Sequence, residues 1–388
     1  DGRSRSMGRI TKLSDSTSRE EAVIRARFVK AKLMPVFILS EIHIHHFTFR
    51  VVVTLYLYSR IIKRNNMINS ELNFTLEEIL PKFPKGFQEK IKHSVELLRK
   101  AEKLALAYSP DEGFYLSFSS GKDSQCLYHI AKIAGVKFKA HMGLTSVDPP
   151  EVIKFCRKHY PDVDMIKPKI SIYNQARKEG MLPTRLIRWC CRVYKEGIGA
   201  GNVVLIGIRH AESRQRSGRS EVEITNHKYS GSLEGLDEFR DKRNSQKRGR
   251  PTRWGIHEIN ITNASDERTI GCIRGYESLL ISPIIEWTDG EVWLFLNTLG
   301  IKHCKLYDEG YYRIGCLCCP MHNYKQKLAD CKRYPHIYNS WIKAIKDIQA
   351  SGRMIDEGLS PEEVFDYWIY GKSINVWREH RRQQTLNF

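Results

Sequence analysis

From Thr75 onward the apolar residues follow two alternating rhythms. Residues 87–108 set Ile91, Val95, Leu98, Leu104 and Leu106 at helical spacing, and Gly113 breaks the run. Thr75 and Glu78, just ahead, have the spacing of a capping box. Short apolar runs and helical stretches then take turns. Phe114–Phe118 predicts a strand, Ser124–Ala134 a helix, Phe138–Met142 a strand, Pro150–His159 a helix and Val163–Ile166 a strand. Val203–Ile208 is apolar throughout, the mark of a strand buried on both faces. Helical text resumes at Gly290–Leu299, Tyr334–Ala350 and Pro361–Tyr370, and residues 378–388 are basic and polar. Strands alternating with helices predict an α/β fold, an open parallel sheet with helices on both faces, followed by a helical C-terminal part.

Two stretches depart from this rhythm. Residues 1–66 carry 13 Lys/Arg against 5 Asp/Glu, and their apolar run Val51–Tyr58 has strand propensity but no evident partner. Met67 opens a stretch that reads like an ordinary N-terminus, so residues 1–66 are expected to be an upstream extension. The alternative is an arm that binds nucleic acid or a membrane surface; deletion of 1–66 with folding and activity retained favours the first. Residues 217–278 interrupt the strand–helix alternation, and within them Arg240–Arg253 holds seven Lys/Arg and one Asp. That composition suits a solvated surface loop or a loop that contacts a polyanion. The expected organisation is an extension (1–66), a helical lead-in (67–110), a nucleotide-binding domain (111–325) with a basic insertion near 217–278, and a helical region (326–388).

Charge and cysteines narrow the chemistry. A net charge of +19 over 388 residues favours a polyanionic partner, nucleic acid or a multi-phosphate substrate, although basic tails and solubility account for it as well. The most apolar early stretch, Phe37–Tyr58, contains Glu41, His43, His45, His46 and Arg50, too many polar groups to span a bilayer. No secretory signal is evident, so the expectation is a soluble, cytoplasmic chain without a membrane partner. The ten cysteines include two clusters, Cys190-Cys191 and Cys316-Leu317-Cys318-Cys319, which suit metal or redox work in a reducing compartment. Cys190, Cys191, Cys316 and Cys319 form a CC…CxxC set whose four thiolates suit an iron–sulfur cluster or zinc. Cys304 and Cys318 are spare, so the set can differ by one; Cys126, Cys156, Cys272 and Cys331 read as isolated.

The segment Ser119-Ser120-Gly121-Lys122-Asp123-Ser124 follows a predicted strand and opens a predicted helix. Small residues there let backbone N–H groups turn toward a phosphate, and the helix presents its N-terminus to the anion. Lys122 can neutralise phosphate oxygens, Ser119 and Ser124 can donate, and Asp123 can orient the loop or help hold Mg²⁺. The segment is not a Walker A loop. Arg209 ends the strand Val203–Ile208 at the sheet edge where ligands of open parallel sheets bind. Arg209, Arg214 and Arg216 can hold phosphate or sulfate, Glu212 can pair with one of them or bind a metal, and Ser213 lies among them. A surface ion-pair cluster is the alternative.

These motifs together resemble the phosphoadenosine phosphosulfate (PAPS) reductase family of the ATP-pyrophosphatase superfamily. The loop resembles that superfamily's S-G/S-G-x-D-S loop. Val147-Asp148-Pro149-Pro150-Glu151, Trp189-Cys190-Cys191-Arg192, Gly207-Ile208-Arg209-His210-Ala211-Glu212-Ser213-Arg214, Pro283–Thr288, and Tyr307–Gly310 followed by Arg313–Cys316 resemble further family segments, over roughly residues 105–325. The resemblance implies an adenine nucleotide alpha hydrolase-like fold and an adenine nucleotide, ATP or PAPS. It also implies a [4Fe–4S] cluster on the four cysteines, as in assimilatory adenylylsulfate reductases. Sulfonucleotide reductases carry a nucleophilic cysteine in a C-terminal tail, whereas the 57 residues after Cys331 contain none. The intact Lys122-Asp123 loop therefore favours cleavage of the ATP α–β bond with Mg²⁺. That cleavage would activate an acceptor for sulfur transfer, with nucleic acid as one candidate and a cysteine desulfurase or thioredoxin as sulfur donor. DNA phosphorothioation proteins and tRNA-thiolating enzymes resemble this combination. The alternatives are a sulfonucleotide reductase with its nucleophile moved, for instance to Cys318, and a non-catalytic nucleotide-binding subunit of a defence or repair complex.

Overall fold

Seven strands carry the structure, a computed structural model that describes residues 68–225, 229–236, 238–239, 277–353 and 358–386. The extension 1–66 with Val51–Tyr58, the basic stretch Arg240–Arg253 and Cys272 lie outside the described residues. The chain enters through a short helical turn, Leu76–Ile79. The expected capping box closes it: Glu78 N–H donates to Thr75 Oγ1 at 3.3 Å and Thr75 N–H to Glu78 Oε2 at 3.2 Å. Next come α1 (Lys85–Tyr108), β1 (Phe114–Ser117), α2 (Lys122–Ala134), β2 (Phe138–Gly143), α3 (Pro150–His159), β3 (Asp164–Ile166) and α4 (Ile172–Glu179). Strands β4 (Val203–Leu205), β5 (Val222–Ile224), β6 (Tyr229–Gly231) and β7 (Leu279–Ile281) complete the sheet. Helices α5 (Asp289–Leu299), α6 (Tyr324–Arg333), α7 (Pro335–Ala350), α8 (Pro361–Tyr370) and α9 (Ile374–Leu386) follow.

The sheet order is β3-β2-β1-β4-β7-β5-β6. The first five strands run parallel, as expected; β5 is antiparallel to β7 and to β6. The interrupting stretch 217–278 thus supplies two antiparallel strands to one edge, which its composition did not announce. Between β1 and β4 the strand order reverses, with β2 and β3 on one side and β7 on the other. A crevice at such a reversal, beyond the carboxyl ends of the strands, is where ligands of open α/β sheets sit.

Both faces of the sheet are covered. Phe114 pairs with Phe138 on one face, and the Tyr128 ring of α2 meets Phe138 there edge-on. Helix α1 lays its buried stripe (Phe87, Ile91, Val95, Leu98, Ala101 and Ala105) on that side against α2. On the other face, a Cβ at Gly199 would meet Val204 Cγ2 at 2.8 Å and the Tyr115 ring at 3.2 Å. Glycine at 199 is what lets the segment after Cys191 lie flat on Tyr115 and Val204.

A second apolar cluster joins α4 to the C-terminal helices. Ile172 and Ala176 pack with Trp341, Ile345 and Ile348 of α7 and with Val364, Phe365 and Ile369 of α8, and Trp189, Tyr194, Leu317 and Cys318 belong to the same cluster. Helices α4, α6 and α9 are short and polar overall, so few apolar residues mark them in the sequence. No described helix is long and apolar enough to cross a membrane.

Asn69 ties the first described turn to the core. Its fully buried amide donates to Gln125 Oε1 at 3.3 Å, Tyr160 Oη at 3.0 Å and the Lys302 carbonyl at 2.8 Å, and its oxygen accepts from Lys302 N–H at 3.1 Å. Asn69→Leu leaves those partners unsatisfied and is expected to cost about 1–3 kcal/mol, read as a lower urea midpoint with an unchanged slope.

Candidate active site

The loop after β1 is closed by its own hydroxyls. Ser124 Oγ accepts from Ser119 N–H at 3.2 Å, lies 3.1 Å from Ser119 Oγ and donates to the Gly121 carbonyl at 2.9 Å. Ser120, not Gly121, takes the left-handed conformation, with φ 58°. Its hydroxyl points inward to Met142 Sδ at 3.8 Å, its carbonyl accepts from Gln125 Nε2 at 3.3 Å, and the residue is fully buried. Gly121 serves close approach instead: a Cβ there would lie 3.3 Å from Ser119 Oγ and 3.6 Å from Tyr307 Oη. Tyr307 Oη accepts the Lys122 N–H at 2.9 Å, at the N-terminus of α2. These contacts bring Ser119, Ser120, Gly121, Lys122 and Ser124 together as a rigid turn; the serine hydroxyls hold the turn itself.

Strand β4 delivers Arg209 beside this turn. A Cβ at Gly207 would sit 3.1 Å from the Asp123 carbonyl oxygen, so only glycine lets the chain pass the first turn of α2 this closely. Arg209 is 2% exposed, and all three of its nitrogens are engaged: Nε with Asp123 Oδ1 at 2.7 Å, Nη1 with the Trp287 carbonyl at 3.1 Å and Nη2 with Asp289 Oδ1 at 2.9 Å. Lys122, also 2% exposed, lies 3.0 Å from Asp289 Oδ1 and 3.3 Å from Asp123 Oδ2. In this structure every Arg209 nitrogen is taken by a protein group, so the residue ties Asp123, Trp287 and Asp289 together. Asp123 takes up both cations. Burial would raise the Asp289 carboxyl, but Lys122 and Arg209 hold it below its ordinary 3.8. Asp289 was missed in the sequence. Thr288 caps α5 and shares a capping box with Glu291, a Thr-Asp-Gly-Glu signal that marks a helix start one residue before Gly290.

The remaining residues of this segment form a rim. Glu212 accepts Arg209 N–H at 3.0 Å, pairs with Arg216 and lies 3.6 Å from Arg313. Pairing with an arginine is thus what Glu212 does in this structure. Ser213 and Arg214 are exposed. Tyr312 is 72% exposed, with its ring 5.6 Å from Lys122 Nζ.

The four expected cysteine ligands share one neighbourhood. Arg188 donates to Cys191 Sγ at 3.1 Å. The hydrogen bond from Cys190, then the Arg188 guanidinium, hold the Cys191 thiol down at about 5, while the same bond and burial push Cys190 up. Burial, then the charge of Cys316, raises Cys319; Cys316 in turn raises the Lys195 ammonium, which donates to it. Arg188 and Lys195, both missed in the sequence, thus face the thiols with positive charge. Among the described residues no three Cys, His, Asp or Glu side chains stand in metal-holding geometry. The donor set suits a thiolate-bound metal group in chemistry and neighbourhood, without being drawn together around one. The two spare cysteines lie elsewhere. Cys304 is buried, and Cys318 is 1% exposed with its sulfur 3.4 Å from Cys331 Sγ. Cys331 is therefore not isolated, and Cys318 is enclosed beside it.

An open sheet reversed between β1 and β4, with a hydroxyl-braced loop at the head of α2, defines a nucleotide-binding α/β protein. The chain belongs to the phosphoadenosine phosphosulfate reductase domain family, whose model matches residues 113–322. It is similar to an uncharacterised protein of Methanocaldococcus jannaschii, 24% identical over 286 residues, 72% of this chain and 58% of that protein, so it spans little more than half of that relative. It is also similar to adenosine 5'-phosphosulfate reductase 2 of Bacillus subtilis, 23% identical over 235 residues, 58% of this chain and 80% of that one. Among solved structures, the phosphoadenylyl-sulfate reductase of Candida auris aligns at 17% identity over 63% of this chain and 97% of that one, with a TM-score of 0.32. The FMN adenylyltransferase of Candida glabrata aligns at 13% identity over 60% and 62%, with a TM-score of 0.35.

Asp289→Ala strips a carboxylate from two buried cations and is expected to cost about 3 kcal/mol at neutral pH. A carboxyl held low in the fold contributes fully above its ordinary value and is lost as pH falls through its folded value. The difference between the parent and Asp289→Asn chains should therefore shrink as pH drops below 3.8; urea denaturation at pH 7 and near pH 3 reads it.

Proposed function

We propose that the crevice between β1 and β4 binds ATP and cleaves its α–β bond, releasing pyrophosphate and activating an acceptor for sulfur transfer. The observation that carries this reading is the intact loop, with Lys122 at the head of α2 and the Asp123–Arg209–Asp289 contacts fixing it. An acceptor nucleophile attacks the α-phosphorus, the bond from that phosphorus to the bridging oxygen of pyrophosphate breaks, and the acceptor carries AMP. A sulfur nucleophile then displaces AMP. Oriented backbone N–H groups and Lys122 stabilise the charge that collects on the leaving pyrophosphate. Mg²⁺, held on the phosphates, would neutralise their oxygens when bound. Arg209 holds Asp123 and Asp289 in place and so keeps Lys122 where the phosphates arrive. The exposed Arg188, Arg192, Arg214 and Arg313, with Tyr312, support a polyanionic acceptor such as nucleic acid.

Cys190, Cys191, Cys316 and Cys319 would hold a [4Fe–4S] cluster, and the cations Arg188 and Lys195 beside them support an anionic group there. Such a cluster would supply electron storage or a structural anchor; zinc is the alternative. Protein purified without oxygen should contain iron and acid-labile sulfide, both lowered in Cys190→Ser and Cys319→Ser. Zinc with no sulfide, or neither metal, overturns the cluster.

The reaction is tested with α-labelled ATP and Mg²⁺. The expected products are AMP and pyrophosphate, with the rate lowered about 10²–10³-fold in Lys122→Ala. Sulfite from PAPS with ATP untouched overturns this reading in favour of a reductase. Nucleotide binding with neither reaction, tried with nucleic-acid acceptors present, points to a non-catalytic subunit.

A further inference from the structure

We propose that Cys318 and Cys331 are a reversible oxidation site: a dithiol that closes to a disulfide stapling α6 to the turn that carries Cys316 and Cys319. The two sulfurs are 3.4 Å apart, in contact although twelve residues separate them in the chain. Disulfide sulfurs lie at about 2.05 Å, so closure needs an approach of about 1.4 Å. That is within the reach of a side-chain rotation and a small backbone shift.

The backbone around the pair is already arranged for it. Cys318 stands in the left-handed region at φ 54°, where a residue with a Cβ is held only by its surroundings. What holds it is the residue next to its sulfur partner: Cys318 N–H donates to Asp330 Oδ2 at 3.0 Å. Asp330 is 1% exposed, and its other oxygen accepts from Gln326 at 3.0 Å, so the anchor is fixed within α6. On the opposite side, Leu317 N–H donates to the Val147 carbonyl at 2.8 Å and pins the same turn to the loop after β2. Neighbouring residues of one turn are thus tied to the loop after β2 and to α6, and the sulfur of Cys318 is delivered to the sulfur of Cys331 by contacts that do not involve either thiol.

Exposure sets the order of reaction. Cys331 is half-buried, whereas Cys318 is enclosed. A small disulfide of the glutathione class reaches Cys331 first. The Cys331 thiolate attacks one sulfur of the reagent, the reagent's S–S bond breaks, and one small thiol leaves. The Cys318 thiolate then attacks the Cys331 sulfur of the mixed disulfide, a protein S–S bond forms, and the second small thiol leaves. Two electrons pass from the protein to the reagent, and the two cysteine protons end on the two small thiols. A dithiol in the opposite sense returns the pair to the reduced state.

The test uses the full chain held anaerobically in glutathione buffers from reducing to oxidising. Free thiols are then alkylated and tryptic peptides are mapped without reduction. Cleavage places Cys331 on Leu328–Lys332, and Cys316, Cys318 and Cys319 together on Ile314–Lys325, so fragment spectra locate the link. The expected result is a Cys318–Cys331 link, two hydrogens lighter than the reduced pair and reversed by dithiothreitol. In Cys318→Ser, Cys331 should instead accumulate as the mixed disulfide with glutathione. In Cys331→Ser, Cys318 should stay reduced at the ratio that links the parent chain. A parent chain that stops at glutathionylated Cys331, or that links Cys331 to Cys316 or Cys319, overturns the proposal.

Discussion

The interlock of Arg209 with Asp123 and Asp289 is what makes three separate elements one site. Arg209 comes at the end of β4, Asp123 from the first turn of α2 and Asp289 from the first residue of α5. None of these elements neighbours another in sequence, and the two half-buried carboxylates meet on a guanidinium that is itself buried. A buried guanidinium with all its nitrogens engaged fixes direction as well as distance, since its planar fork accepts partners only in its own plane. Gly207 belongs to the same constraint, because a Cβ there would sit 3.1 Å from the Asp123 carbonyl oxygen and press the chain away from the first turn of α2.

Much of this was legible in the chain. The alternation of Phe114–Phe118, Ser124–Ala134, Phe138–Met142 and Pro150–His159 predicts the parallel core because each element alone has a clean period. The apolar run from Val203 marked its strand for the same reason, although only Val203–Leu205 pairs in the sheet. The loop and the residues after Gly207 marked a candidate site by type and order, and the structure brings them together. What they could not announce was which side chains face the ligand and which face each other. Arg209 reads identically in sequence whether it grips a phosphate or two carboxylates; the choice depends on Asp289, eighty residues on.

The misses share a physical cause. Strands β5 and β6 owe their existence to pairing at the edge next to β7, a tertiary contact that their own short sequences do not carry. Helices α4 and α6 are short and mostly polar, and the cluster around Trp341 takes up the few apolar residues they offer. Cys331 looked solitary because a contact across a helix and a turn leaves no trace in spacing. Arg188 and Lys195 were hidden among many basic residues.

The four interlocked groups carry two positive and two negative charges. The inner site is therefore electroneutral before any ligand arrives, and it is not by itself a well for anions. A phosphate that reaches Lys122 exchanges one partner for another without a large change in local charge, so the attraction that draws it in must come from elsewhere. If the proposed ATP reading holds, the exposed Arg214 and Arg313 at the rim would supply it. Holding the shape of the site and attracting its ligand are in this way divided between different residues, so salt should weaken capture at the rim more than it disturbs the buried centre.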